Sequence, residues 1–354
     1  MKKIEKGFVL PSSAFTIKKS YIKYYDFSNK TPEVGDLIYG KVERIGEHTT
    51  LENSYGRIHK IHNEKHAVFV FGNRYAADYY EGFIPEVMMS EVDLLSRSGL
   101  VGIVKTKKDT VKDPTIINVL GYACNSDGTI LNTRNFQTLS IKHAEKTHPR
   151  SPMILVCGTS MNSGKSMAAV SCCWTLKSTG HNVRASKITG TASLKDILHM
   201  NDAGANPYCD FTSLGYPSTY MLSRDDILTI FNKIDLKYGN NPDNYWVVEF
   251  ADGITQRETE FLLSSESVKS RIHKFIFCAT DAFGAIGGLN VLKHKYNLTP
   301  DALSGVCSST PLLVRELSEF TDIPIFNSLA SNPNELSEIL LNKENINWKE
   351  KKKS

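Results

Sequence analysis

The stretch Pro152 to Val170, PMILVCGTSMNSGKSMAAV, limits what this chain can fold into more than any other segment. Met153 to Cys157 is an unbroken apolar run, which needs cover on both faces and so reads as a strand inside a parallel sheet. A glycine-containing turn follows, and after Gly164-Lys165-Ser166 the sequence takes on a helical character. A tight turn between such a strand and helix aims backbone N–H groups and the helix N-terminus at one point, which makes it a nest for anions. The usual phosphate-binding pattern, G-x-x-x-x-G-K-[ST], would place its first glycine at 159. Here Thr159 stands there and Gly158 lies one residue earlier. The loop residues Gly158, Thr159, Ser160, Asn162, Ser163, Gly164, Lys165 and Ser166 are therefore read as a nucleotide site. Lys165 would reach the β- and γ-phosphates and the Ser166 hydroxyl would face Mg²⁺.

The rest of the chain divides by its rhythm. After residue 152, apolar runs (NVRASKIT, YWVVEFADG, KFIFCAT, PDALSGVCSS, IPIFN) alternate with helical stretches. That pattern predicts an α/β P-loop domain over 153–345, with a mainly parallel sheet covered by helices on both faces. Before it, GDLIYGKVERIG, KHAVFVFGN, GLVGIVKTK and a hairpin turning at Ser126-Asp127-Gly128 predict a smaller β-rich barrel- or sandwich-like domain over 34–136. Residues 1–33 read as an N-terminal extension, the polar stretch 137–152 as a linker, and 346–354 as a basic tail.

Composition removes several classes of function. A net charge of +4, gathered largely at the two ends, is too mild for nucleic acid, and VKTKKDTVKDP lacks the aromatics a single-strand binder needs. No run approaches the roughly 18 apolar residues of a membrane span. The N-terminal lysines precede no apolar core and cleavage site, so a cytoplasmic location is expected. Seven cysteines without a C-x-x-C spacing read as reduced thiols, with Cys172-Cys173 packed in a helix. His59, His62 and His66 read as a polar turn, and Tyr75, Tyr79, Tyr80 and Phe83 as packing.

The pattern G-T-x-x-x-x-G-K-[ST] over Gly158 to Ser166 resembles the loop of dethiobiotin synthetase. The resemblance runs from about residue 153 to 330. Ser186-Lys187-Ile188-Thr189-Gly190 is similar to that family's second lysine stretch, and Glu249 in VVEFADG to its metal-binding glutamate. It implies Mg·ATP as the nucleotide, Lys165 and Lys187 as catalytic, and Ser166, Glu249 and Asp196 as metal ligands. It further implies a ligase or kinase that phosphorylates a carboxylate or carbamate of a small-molecule substrate, working as a homodimer. Ile188 in place of proline, the Phe250 and Asp252 substitutions in the glutamate turn, and the β-rich domain all depart from the family, so the biotin substrate does not carry over.

The residues give partial independent support. An acid directly after Trp246-Val247-Val248 is costly unless paired or metal-bound. Asp202 and Asp210 compete with Asp196 for the metal role. Asp252, Gln256 and Arg257 could grip a substrate or open a solvated helix, and Asp281 reads as a helix cap. Asn232-Lys233-Ile234-Asp235 matches the guanine motif of GTPases, but Ile227, Phe231 and Ile234 share one helical face, so ATP is preferred. Ser160 stands where partition ATPases carry their signature lysine. The alternative function is a nucleotide switch whose β-rich domain binds a protein partner.

Overall fold

The structure is a computed structural model and describes residues 1–5, 7–141 and 145–342. The expected basic tail at 346–354 lies outside the described residues. The chain forms two compact units. The first is Met1–Ser140 together with Gly190–Lys195 and Asp210–Met221; the second is Ile141–Thr189, Asp196–Cys209 and the chain from Leu222 onward.

The first unit holds β1 (Lys2–Lys3), β2 (Tyr24–Asp26), β3 (Leu37–Arg44), β4 (Thr50–Glu52), β5 (Ile58–Lys60), β6 (His66–Phe71), β7 (Arg74–Tyr75), β8 (Tyr80–Phe83), β9 (Glu91–Ser96), β10 (Leu100–Lys107) and β11 (Thr115–Cys124). Strand β11 pairs with β3, β3 with β6, β6 with β10, β10 with β9, and β9 returns to β11. The strands thus close a barrel, which removes the open edges a flat sheet would expose. Alternation along the strands sorts the side chains. Ile38, Val42, Phe69, Phe71, Val92, Leu94, Val101, Ile117 and Val119 form one buried cluster drawn from all five strands of the ring.

Leu37, Tyr39, Val68 and Val70 point the other way, into a second cluster with Ile4, Phe8, Leu10, Ala14, Ile17 and Ile22. The first 33 residues therefore supply the layer that covers the outer face of β3 and β6. The two inserted segments join the same unit. The Thr133 hydroxyl donates to Gly215 O at 2.7 Å, Thr138 N donates to Ser213 O at 2.9 Å, and the Arg134 guanidinium lies 3.6 Å from the Tyr216 ring centre.

The second unit is an α/β domain. Its six strands are β12 (Met153–Gly158), β13 (Asn182–Lys187), β14 (Tyr208–Asp210), β15 (Asn244–Glu249), β16 (Ile272–Ala279) and β17 (Ala302–Gly305), in the order β14-β13-β15-β12-β16-β17. The pairs β13–β15, β15–β12, β12–β16 and β16–β17 are all parallel. The IPIFN run contributes an isolated bridge, Ile325 to Leu303, beyond β17.

The helices are α1 (Lys165–Ser178), α2 (Leu194–Asp202), α3 (Arg224–Tyr238), α4 (Arg257–Leu263), α5 (Glu266–Lys269), α6 (Ala282–Val291), α7 (Pro311–Ser318) and α8 (Pro333–Leu341). Phe231 of α3 packs on Trp246 of β15, while Ser166 of α1 approaches Glu249 on the opposite parity of that strand, so helices flank both faces. No helix among the described residues is long and apolar enough to cross a membrane.

Candidate functional site

Strand β12 is buried along its whole length and ends at the loop. Thr159 N donates to Cys278 O at 2.9 Å, which ties the loop's first residue to β16. Asn162 and Gly164 take left-handed backbone conformations (φ 61° and 96°), and α1 begins at Lys165. These torsions account for the displaced glycine. Thr159 has no left-handed φ and needs no glycine. Gly158 is required by proximity instead, because a β-carbon there would fall 2.8 Å from Cys278 O and 2.9 Å from the Lys165 side chain.

Lys165 is buried, and its Nζ donates to Ser160 O at 2.6 Å, within the loop it would release on meeting phosphate. Parallel register sets Lys187 directly beside Glu249. Lys187 Nζ lies 2.5 Å from Asp196 Oδ2 and 3.2 Å from Glu249 Oε1, and the Ser166 hydroxyl donates to that same Oε1 at 3.3 Å. Ser166, Glu249, Lys187 and Asp196 thus form one contiguous chain at the carboxyl ends of β13 and β15, next to the loop. Burial alone would pull the Lys187 ammonium down, but the Asp196 and Glu249 carboxylates, with Asp252 beyond them, outweigh it and hold the group well above the usual lysine range.

Glu249 is only 1% exposed, yet its Oε2 has no hydrogen-bond partner. A buried carboxylate oxygen without a donor is costly, and its natural complement is a cation. With the Ser166 hydroxyl beside it and an anion nest adjacent, the oxygen set fits Mg²⁺ shared with nucleotide phosphates. Among the described residues no group of three or more His, Cys, Asp or Glu side chains could hold a metal by itself, so nucleotide and water oxygens would complete the shell. Asp196 stands in the first turn of α2 with its carboxylate on Lys187. Of its competitors, Asp210 accepts from Thr212 N at 3.0 Å as a turn cap, and Asp202 is exposed at the end of α2.

The turn after Glu249 is clamped by residues the sequence reading passed over. The Thr189 hydroxyl donates to Ala251 O at 2.6 Å and accepts from Ala251 N at 2.9 Å, and the Thr259 hydroxyl donates to the same carbonyl at 2.7 Å. Ile254 N reaches back to Gly158 O at 2.9 Å, so this turn and the phosphate loop brace one another. Nothing in the local sequence around Thr189 or Thr259 marks that role. Gln256 caps α4 by accepting from Glu258 N and Thr259 N. Arg257 donates to Leu222 O and pairs with Glu258. Asp281 caps α6 by accepting from Gly284 N at 2.7 Å.

The guanine-like motif lies elsewhere. Asp235 is fully buried on α3, with Arg150 Nη2 at 2.5 Å, Arg271 Nε at 3.0 Å and Lys146 Nζ at 3.2 Å, and Asn232 Oδ1 accepts from Lys146 at 3.0 Å. These contacts staple α3 in place. His59 bonds Asn53 and His66 stacks on Tyr39, which accounts for two of the three histidines read as a polar turn. All seven cysteines are free and buried.

No protein-family model matches the sequence, and no curated protein does. Solved structures similar to part of the chain include the signal recognition particle receptor FtsY of Elizabethkingia anophelis in complex with GDP, at 11% identity over 60% of this chain and 70% of that one, with a TM-score of 0.37. A second FtsY structure from that organism is 13% identical over 61% and 72%, with a TM-score of 0.33. The chloroplast FtsY of Physcomitrella patens is 10% identical over 58% and 70%, with a TM-score of 0.35. The strand order of the second unit, and the loop joining β12 to α1, define a P-loop NTPase fold.

Proposed function

We propose that this protein is a Mg·ATP-dependent ligase or kinase that transfers the γ-phosphoryl group to a carboxylate or carbamate of a small molecule. The observation that carries this reading is Lys187. It is a second buried cation, two residues ahead of Thr189 and its clamp on Ala251, held between Asp196 and the Glu249 carboxylate beside the loop. A nucleotide-binding loop alone needs only Lys165; a second fixed ammonium suits a group that must meet both the transferring phosphoryl and an anionic acceptor.

In this reading the loop amides and Lys165 bind the β- and γ-phosphates and neutralise charge as the bond to the leaving oxygen lengthens. Ser166 and Glu249 hold Mg²⁺, which supplies charge compensation on the phosphate oxygens. Lys187 orients the acceptor carboxylate in line with the γ-phosphorus and loosens from Asp196 as it does so. ATP is favoured over GTP because Asp235 is committed to Arg150 and Arg271. As in the family it resembles, a homodimer is expected.

The test is phosphate release from Mg·ATP by the purified protein, with and without a small-molecule extract of cells, using Lys165→Ala as the blank. Turnover that requires the extract and vanishes in the variant supports the proposal and lets the acceptor be fractionated. A slow basal rate raised only by macromolecules would replace it with the nucleotide-switch reading.

A further inference from the structure

The phosphate loop leaves β12 through one peptide unit, that of Gly158 and Thr159, and both polar atoms of that unit are held. Thr159 N donates to Cys278 O at 2.9 Å on one side, and Gly158 O accepts from Ile254 N at 2.9 Å on the other. Gly253 lies flat against the same place, since a β-carbon there would fall 2.3 Å from Thr159 O. The orientation of this peptide is therefore set from outside the loop, by β16 and by the turn after β15. A nest of amides binds phosphate well only when the amides are aimed before the anion arrives.

The turn is itself held one step further out. Ile254 is 2% exposed, and its carbonyl accepts from the Tyr296 hydroxyl at 2.6 Å in a buried hydrogen bond. Tyr296 is buried too and closes the helical segment that continues α6. Over Leu292–Tyr296 that segment widens into a π-helical turn, bonded from i to i+5. Leu292 and Tyr296 are its buried residues, while Lys293, His294 and Lys295 between them are exposed. Asn297, left-handed at φ 55°, ends the turn, and Lys269 Nζ donates to Tyr296 O at 3.2 Å. Such turns are rare and gather at functional sites. A packing role would need only the ring of Tyr296. Its hydroxyl instead meets the one residue whose N–H holds Gly158.

We propose that Tyr296 is a positioning residue for the phosphate loop: its hydroxyl fixes Ile254, Ile254 fixes the Gly158–Thr159 peptide, and the loop amides are thereby aimed before a phosphate chain binds. This deepens the nucleotide reading, and only its binding part rests on that reading; the hold of Tyr296 on Ile254 does not.

The test uses the full chain with Tyr296→Phe, which keeps the ring and removes the hydroxyl, with Gly253→Ala, and with the two combined. Amide hydrogen exchange is followed residue by residue, with Trp246 N, bonded to Pro152 O near the start of β15, as the internal reference. Tyr296→Phe leaves a buried carbonyl without its donor, so exchange at Ile254 should rise about tenfold while Trp246 is unchanged. Gly253→Ala pushes the turn off the loop and should raise exchange at the same amide. Adding Tyr296→Phe to it should contribute little, because both changes open one contact. Unchanged Ile254 exchange in Tyr296→Phe, a parallel rise at Trp246, or full additivity in the double variant would overturn the proposal.

For binding, Tyr296→Phe should weaken Mg·ATP and Mg·tripolyphosphate alike, about fivefold by calorimetry, since the loop it braces meets phosphates rather than the base. A loss confined to ATP, or no loss for either ligand, would also overturn it. Failure of the unaltered protein to bind either ligand would count against the nucleotide reading, while the exchange cycle would still decide the role of Tyr296.

Discussion

In the barrel unit, buried carboxylates are fully occupied. Asp36 takes Lys30 at 2.5 Å, Glu33 N at 2.9 Å and Asn132 Nδ2 at 2.9 Å, and Glu52 divides its two oxygens between two backbone amides. In the P-loop unit, Glu249 is as deeply buried but keeps one carboxylate oxygen without a hydrogen-bond partner. The difference follows from architecture. A closed barrel turns its strands' polar ends into one another and into its turns, whereas a parallel sheet delivers several strand ends to a single edge where the crossovers diverge. A carboxylate oxygen left open at that edge is available to a cation.

The comparison can be broken most forcefully at Asp235, the P-loop unit's own closed polar cluster. Asp235→Ala strands Arg150 and Arg271 and should cost about 3–5 kcal/mol in chemical denaturation. The preference between ATP and GTP should not change; a change would return α3 to the nucleotide site. Next comes Lys165→Ala, expected to lower any nucleotide turnover about 100- to 1,000-fold while leaving the denaturation midpoint nearly in place. A large stability loss there would mean the lysine serves the fold rather than the ligand.

A third prediction falls in the barrel. Burial, reinforced by the Arg74 charge, lowers His48 from 6.5 to about 4. Because the folded form resists the proton, the unfolded chain binds more protons between those two values. The His48 contribution is therefore present above pH 6.5 and is lost as pH falls toward 4, on the order of 3 kcal/mol in all. His48→Gln should flatten the pH dependence of stability across that window. The smallest effect expected is that of Thr189→Val, which removes the hydroxyl clamp on Ala251. It should cost about 1–2 kcal/mol and weaken Mg²⁺-dependent nucleotide binding more than it weakens the fold.

The second unit was largely legible because its decisive contacts are local or in strand register. The run before Gly158, the acid after Trp246-Val247-Val248 and the helical face of Ile227, Phe231 and Ile234 each announce their setting within a few residues. The barrel's closure was not. It depends on a parallel contact of only Val70-Phe71 with Leu100-Val101, and on β9, whose sequence EVDLLS carries no strong strand signal. Residues 1–33 read only as an extension because Phe8, Ala14 and Ile17 lie in short turns and irregular chain, where burial leaves no period to read. Thr189 and Tyr296 are ordinary residues made important by what folds against them.

The way the first unit draws on three separate stretches of chain has a consequence for inheritance. Cutting the gene after codon 140 would free most of the barrel strands but leave Thr133 and Arg134 without Gly215 and Tyr216. No single crossover in a recombining gene can exchange this barrel for another. A replacement would have to bring its own versions of residues 190–195 and 210–221 into the middle of its neighbour. Neither unit is a single exchangeable stretch of chain: the gene encodes them interleaved.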